Sequence, residues 1–311
     1  PGNNGGDALA VARLLTEKGY RVEVVLFNTT SKLSDECARN MRRLQETKHV
    51  KKFTEVTLNF EPPRLDENMV VIDGLFGSGL NKPLAGGFAA VVKYINNSPA
   101  TVVSIDMPSG LMTEDNTENI RQNIIRADLT LTLEQKKLAM YLSDNEPYLG
   151  EIEVLDINLS DEFVRRTLTQ YYLLEEDDIK SIIRRRSPFA HKGTMGHAIL
   201  FAGSYGMAGA AVLAAKACMR TGAGKVTIHT PHYNNDILQI AVPEAILQHD
   251  RENAFMAEAV NTDDYDAVAI GPGLGRNEET AIAVMTQLRR SQCPMVVDAD
   301  ALNLLADHRT W

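Results

Sequence analysis

Apolar positions run through the chain in two alternating rhythms. Ala8, Leu9, Val11, Ala12 and Leu15 recur at helical spacing and predict a helix over 8–18, stopped by Gly19. Short apolar runs at 21–27, 69–73, 101–106, 128–133 and 152–157 have the length of strands buried on both faces. Over 158–178 charge rises and the apolar rhythm weakens, which predicts a linker. The alternation then resumes, with strands expected at 197–202, 225–230, 267–270 and 295–298 and a helix at 208–221. Helices alternating with such strands imply an α/β fold built on parallel sheets. The pattern divides the chain into 1–165 and 166–311. No internal repeat or low-complexity tract interrupts it.

Composition narrows the reading. A chain of 311 residues with 44% hydrophobic content can build two cores. A formal net charge of -9 argues against a nucleic-acid or anionic-membrane partner. Cys37, Cys218 and Cys293 are too few, too scattered and odd in number for a disulfide framework. They are expected to act as small buried hydrophobes in a cytoplasmic protein. No apolar run approaches the length of a membrane span. A homo-oligomer is expected.

Candidate chemistry gathers where strands end, as it does in open α/β sheets. Pro1-Gly2-Asn3-Asn4-Gly5-Gly6-Asp7 runs straight into the first helix, and glycines there let a ligand approach exposed backbone N–H groups. The strand that should support such a loop does not precede Pro1, so the chain is expected to be cut at its N-terminus. Asp73 enters Gly74-Leu75-Phe76-Gly77-Ser78-Gly79, and Asp106 enters Met107-Pro108-Ser109-Gly110. Asn4, Asp73 and Ser109 form an all-oxygen set suited to a hard cation, with potassium one candidate. Plainer roles compete: a turn or cap for Ser109, a helix-dipole partner for Asp7, a tight turn for Gly77–Gly79. Asp106 is harder to dismiss. A carboxylate closing an apolar strand is costly to bury, and it can serve as a general acid/base.

The second half repeats the theme more weakly. Arg184-Arg185-Arg186 reads as a solvated helix end. Gly203-Ser204-Tyr205-Gly206-Met207 follows a strand and opens a helix, but it is no dinucleotide fingerprint. Gly271 to Gly275 suits a tight turn or strand exit, and Asp298 with Asp300 could share a cation, a proton or only a surface turn.

Together these residues carry two resemblances. NNGGD, VVIDGLFGSGL and VSIDMPSGL, in that order, resemble the NAD(P)H-hydrate epimerase family. The resemblance implies that Asn3, Asn4, Gly5, Gly6, Asp7, Gly77, Ser78, Gly79, Leu80, Asn81, Lys82, Pro83 and Asp106 contact the hydrated nicotinamide nucleotide. It makes Asp106 the catalytic carboxylate and Asn4, Asp73 and Ser109 the potassium ligands. Lys82 is a candidate proton-transfer partner for Asp106, against a plainer reading as a phosphate contact or solvated lysine. The commoner family pattern has Gly where this chain has Ala8. HKGTMGHAILFAGSYGMAGAAVLAA, RTGAGKVTIHT, AIGPGLG and VVDADALNLL resemble the ADP/ATP-dependent NAD(P)H-hydrate dehydratase family, and place Ala210 and Gly273 at substrate contacts. That family's PHPGE-like segment, adenosine loops and GTGD segment with its catalytic Asp are absent, so dehydratase activity is not expected of this chain alone.

The implied fold is a Rossmann-like three-layer epimerase domain followed by a partial ribokinase-like α/β domain. The implied function is repair. The first domain would interconvert R and S hydrates of NAD(P)H, and the second would dehydrate the S hydrate with ADP or ATP. Two other readings compete, a ribokinase-like small-molecule kinase and a non-catalytic binding module. The epimerase-type first half weighs against the kinase. Asn4, Asp73, Asp106 and Ser109 together weigh against a decayed binding module.

Overall fold

Strand and helix alternate as expected in the computed structural model, which describes residues 1–29, 32–47, 50–58, 60–183 and 185–308. Arg184 of the arginine run and residues 309–311 therefore lie outside the described residues. The chain separates into two units, Pro1–Leu173 and Leu174–Trp311. The division falls inside the predicted linker and later than residue 165.

The first unit opens with α1 (Asn3–Glu17), β1 (Glu23–Phe27), α2 (Asp35–Gln45) and β2 (Lys52–Val56), in which β1 and β2 pair in parallel. It continues through β3 (Val70–Asp73), α3 (Gly86–Asn96), β4 (Thr101–Ile105), β5 (Leu129–Leu133), α4 (Glu146–Leu149), β6 (Glu151–Leu155) and the exposed α5 (Asp161–Arg166). Strands β3 to β6 form a separate four-stranded parallel sheet in sequence order. Val92 and Ile95 of α3 close over Val102 and Ile125, while Met107, Leu111, Ile124, Ala139 and Leu149 fill a second cluster. Each such side chain, fully buried, contributes about 1.5–3 kcal/mol.

Helix α1 starts earlier than its apolar rhythm predicts. Asn3 to Asp7 form its opening turns, with the Gly6 N–H donating to the Gly2 carbonyl at 3.0 Å. Two helical glycines cost about 1 kcal/mol each. Close packing offsets that cost. A β-carbon on Gly6 would stand 3.1 Å from the backbone of Cys37 in α2, and Asn40 of α2 donates to the Gly6 carbonyl at 3.0 Å. Leu9, Ala12, Leu26, Cys37 and Leu44 complete this core.

The second unit contains α6 (Glu176–Ile182), β7 (His197–Phe201), α7 (Ala208–Thr221), β8 (Lys225–Thr230), α8 (Asn235–Ala241), β9 (Ile246–His249), β10 (Ala267–Ile270), α9 (Glu278–Arg290), β11 (Met295–Val297) and α10 (Ala299–Asp307). Its five strands are all parallel, in the order β11-β10-β7-β8-β9. Side chains of β7 alternate between two cores. Ile199 and Phe201 join Val284 of α9 and Leu304 of α10, while Leu200 joins Ala211 and Ala215 of α7 and Leu238 of α8. The result is three layers with the chain reversing direction between β7 and β10. Among the described residues no helix is long and apolar enough to cross a membrane.

Candidate active site

A carboxylate without a counter-charge lies at the end of β3. Asp73 is 2% exposed, and among the described residues it makes no ion pair. Its Oδ1 accepts the Ser109 hydroxyl at 2.5 Å and the Leu75 N–H at 3.3 Å; its Oδ2 accepts Ser104 Oγ and the Ser109 N–H, each at 2.8 Å. Burial pushes the Asp73 carboxyl up from its ordinary value, and these donors from Ser109, Ser104 and Leu75 offset only part of the rise. Ser109 in turn accepts the Phe76 N–H at 2.9 Å. The serine thus ties two strand-end loops together, which is more than a turn residue does.

Asp106 follows β4 in a left-handed backbone conformation, φ 66°. A non-glycine residue held there costs on the order of 1–3 kcal/mol, with Asp among the better tolerated. The bend delivers its carboxylate to three donors: Lys137 Nζ to Oδ1 at 2.5 Å, the Leu133 N–H to Oδ1 at 3.4 Å, and the Ser78 N–H to Oδ2 at 3.0 Å. Burial alone would raise the Asp106 carboxyl. The hydrogen bond and charge of Lys137, helped by Ser78, outweigh it and hold the group below the usual range. Asp7 remains exposed, yet the protein crowding it, and then the charge of Asp106, push its carboxyl up. The two acids therefore face one site.

The opening of α1 closes this site from above β3. A β-carbon on Gly74 would meet Ala8 Cβ, and one on Gly77 would stand 3.0 Å from Cγ of Asn4. The bare Gly74 explains how Ala8 is accommodated where the commoner motif has glycine. Asn4 is half-buried with its Nδ2 unpartnered, and Asn3 is exposed. Gly5 and Gly6 are buried against the Gly74 carbonyl and Cys37, so their missing side chains serve packing. The loop from Gly77 to Pro83 turns through a Leu80 N–H to Gly77 carbonyl bond of 3.2 Å; Leu80 packs inward while Ser78, Gly79, Asn81 and Lys82 are exposed.

The cation beside Asp106 is Lys137, which follows β5; Lys82 is exposed, in keeping with its plainer readings as a phosphate contact or a solvated lysine. Asp7 is no first-turn dipole partner, because the helix already begins at Asn3. The sequence marked this segment, which follows a predicted strand at the carboxyl end where the other site residues cluster, but not which of Lys136 and Lys137 turns inward.

In the second unit the glycine loops meet at the switch point between β7 and β10, where open α/β sheets bind ligands. The Gly203 N–H donates to the Pro272 carbonyl at 2.8 Å and Ser204 Oγ to the Gly273 carbonyl at 2.9 Å. Gly273, at φ 67°, leaves room for Ala210, whose Cβ would lie 2.7 Å from an added β-carbon. Asp300 accepts the Gly275 N–H at 2.9 Å, while Asp298 is exposed at the start of α10. Arg186 donates to the Gly222 carbonyl at the end of α7. One feature passed unnoticed in the sequence: His229 Nε2 and Asp250 Oδ2 lie 2.8 Å apart with both side chains fully buried. Glu258 brings a third ligand atom within 4.8 Å of theirs. Asp250 also accepts N–H groups of Glu252, Ala257 and Glu258, which makes it a hub for the loop after β9.

Fold and sites define a two-unit parallel α/β protein whose strand-end loops build an acid-bearing site in one unit and a glycine-lined crevice in the other. Residues 1–139 match the family described as YjeF-related protein N-terminus, and 198–310 match the NAD(P)H-hydrate dehydratase family. One family match thus falls in each unit, in the order first then second, and curated relatives that match nearly the whole chain are named as bifunctional NAD(P)H-hydrate repair enzymes. The chain is 32% identical to "Bifunctional NAD(P)H-hydrate repair enzyme Nnr" of Coxiella burnetii, over 98% of this chain and 60% of the relative. It is 31% identical to the protein of the same name from Dictyoglomus turgidum, over 99% of this chain and 60% of that relative. The chain thus spans about 60% of the length of these curated relatives. Among solved structures, an ADP/ATP-dependent NAD(P)H-hydrate dehydratase from Bacillus subtilis, co-crystallised with ATP/Mg2+, is 37% identical over 41% of this chain and 46% of that one, with a TM-score of 0.37.

Proposed function

We propose that the first unit epimerises hydrated NAD(P)H, interconverting the R and S forms at C6 of the nicotinamide ring. Exchange of the C6 hydroxyl between the two faces of the ring requires protons to be moved to and from that hydroxyl. The observation that carries the reading is Asp106, an ionised carboxylate held at a strand end beside the loop of Ser78 and faced by Asp7. Asn3, Asn4 and Asp7, with the loop from Gly77 to Pro83, would line the nucleotide.

A potassium ion fits the residues present. Asp73 is a buried carboxyl without a cationic partner among the described residues, and the half-buried amide of Asn4 has an unpartnered end; because each Asp73 oxygen already accepts two hydrogen bonds, a serine hydroxyl would turn away to admit the ion. Which end of that amide is oxygen is a matter of assignment, so a carbonyl can face the same space. Asn4, Asp73 and Ser109 would hold the ion, which would supply positive charge beside the nucleotide loops.

In the second unit, Ala210 and Gly273 would contact the S hydrate in a dehydratase that uses ADP or ATP. The same reading places the protein in the cytoplasm as a homo-oligomer acting on a small molecule, without a nucleic-acid or membrane partner. The net charge of -9 supports the absence of nucleic acid.

The test supplies the R hydrate of NADH together with an excess of a separate, complete dehydratase, so that epimerisation limits the return of NADH. An enzyme-dependent excess over spontaneous epimerisation is expected, and Asp106→Ala should reduce it by about 10²–10⁴-fold. An excess that Asp106→Ala leaves intact would remove Asp106 from the chemistry.

A further inference from the structure

We infer that Lys137 is the positioning residue of the first unit's site: it saturates Oδ1 of Asp106 and leaves Oδ2 as the carboxylate atom that exchanges a proton with the substrate. The inference rests on the epimerase reading and deepens it. A lysine ammonium carries three hydrogens. Lys137 spends them on Asp106 Oδ1 at 2.5 Å, Thr132 Oγ1 at 2.9 Å and the Leu133 carbonyl at 2.8 Å. None remains for a ligand, so Lys137 acts through Asp106.

The carboxylate is used just as unevenly. Oδ1 also accepts the Leu133 N–H at 3.4 Å, which occupies both of its lone-pair directions. Oδ2 accepts the Ser78 N–H, and the hydroxyl of the exposed Ser78 is the other donor to this carboxylate; a hydroxyl that rotates freely in solvent can turn aside for a substrate, so Oδ2 is the oxygen that can be vacated. The anchor for this arrangement is local. Glu134, at φ 63°, reverses the chain directly after β5, and Lys137 folds back onto the buried Thr132 and the Leu133 carbonyl of that strand.

The charged groups facing Asp106 are Lys137, beyond β5, and Asp7, on α1. They act in opposite senses. Without the ammonium, a mostly buried carboxylate would face another acid with no cation beside it, and it would take up a proton. Asp106 would then be neutral where it is needed as a base.

Two measurements on the whole chain test this. The first is the carbon-13 titration of the Asp106 carboxyl, identified by its absence in Asp106→Asn, in wild type and Lys137→Met. The second is the pH profile of kcat and KM for R-hydrate epimerisation in the same proteins. In Lys137→Met the carboxyl should titrate about one to three pH units higher, and the acid limb of kcat should move with it while KM stays within about threefold. Lys137→Cys alkylated with 2-bromoethylamine restores an ammonium and should recover rate at low pH, judged against equally alkylated wild type.

An unmoved titration, or a rate lost equally at every pH, would overturn the inference. So would a raised KM with kcat intact, because that marks a substrate contact. If Lys137→Met does not fold, Thr132→Val removes one anchor and should give a smaller shift in the same direction; no shift there also overturns it. If wild type shows no epimerisation, the functional reading fails while the carboxyl titration still decides what Lys137 does to Asp106.

Discussion

A single methyl group at Gly74 should separate the two halves of the first site. An alanine β-carbon there would stand 2.5 Å from Ala8 Cβ, whereas ordinary contact is 3.4–4 Å. About 1 Å or more of separation must therefore open between α1 and the loop after β3. Ala8 offers no torsion to relieve the clash, since its methyl is fixed to the helix. The backbone at Gly74 is outside the left-handed region, so the effect is purely steric. Overpacking of this kind costs about 1–3 kcal/mol.

Ala8→Gly alone should cost about 1 kcal/mol in helix propensity. In the Gly74→Ala background the same change removes the clashing atom, leaving the Asn4 carbonyl at 3.3 Å as the nearest neighbour. The double mutant should then be about as stable as Ala8→Gly, a favourable coupling of roughly 1–3 kcal/mol, the whole cost of Gly74→Ala. Cys37 supplies the probe, being fully buried against Gly6. Pulsed alkylation across a urea series, with mass spectrometry to separate Cys37 from Cys218 and Cys293, reads opening of this part of the first unit alone. Strictly additive losses, or a Gly74→Ala protein as stable as wild type, would refute the packing argument.

Two further outcomes are expected. Replacing choline chloride by potassium chloride at constant ionic strength should raise the urea midpoint for Cys37 protection, by about 2.7 kcal/mol when potassium stands at 100 times its dissociation constant. Asp73→Asn should abolish that gain, and a gain that survives the substitution would remove Asp73 from the ion's ligands. In the second unit, burial opposes the ionisation of Asp250, but its bonds from His229 and the loop N–H groups hold the carboxyl below its ordinary 3.8. A depressed acid stabilises the fold above that value and loses its contribution as pH falls through the folded one. Protection factors over residues 246–260, with the intrinsic pH dependence of amide exchange divided out, should therefore fall in acid, and Asp250→Asn should flatten that dependence. His229→Ala removes one hydrogen bond from the buried Asp250 carboxylate and should cost about 1–3 kcal/mol.

The sequence carried the parallel α/β class because buried strands announce themselves by apolar runs, unbroken at 69–72 and 267–270. It carried the strand-end acids because Asp73 and Asp106 interrupt such runs. Amphipathic elements were harder to read. The α2 segment DECARNMRRLQ is mostly polar, and its purpose appears only when Cys37 and Leu44 are seen against α1. Asn3 to Asp7 read as a loop because glycine and asparagine are poor helix formers, and only the fit of Gly6 against Cys37 reverses that preference. Lys137 stayed hidden for another reason. It is one of two adjacent lysines, and nothing in the spacing tells which of them turns inward onto Thr132.

The left-handed bend at Asp106 bears on how such a site can disappear. Asparagine and glycine are the residues that take this conformation most readily beside aspartate. Each lies a single nucleotide change from an aspartate codon. Among the replacements one nucleotide away that erase the charge are thus the two that the backbone best accepts. Drift at this codon removes the proton-transfer group while the chain still folds, so selection for stability cannot preserve the chemistry. A lineage that ceased to need the reaction would retain the architecture and carry Asn or Gly here, indistinguishable by shape from its active ancestor.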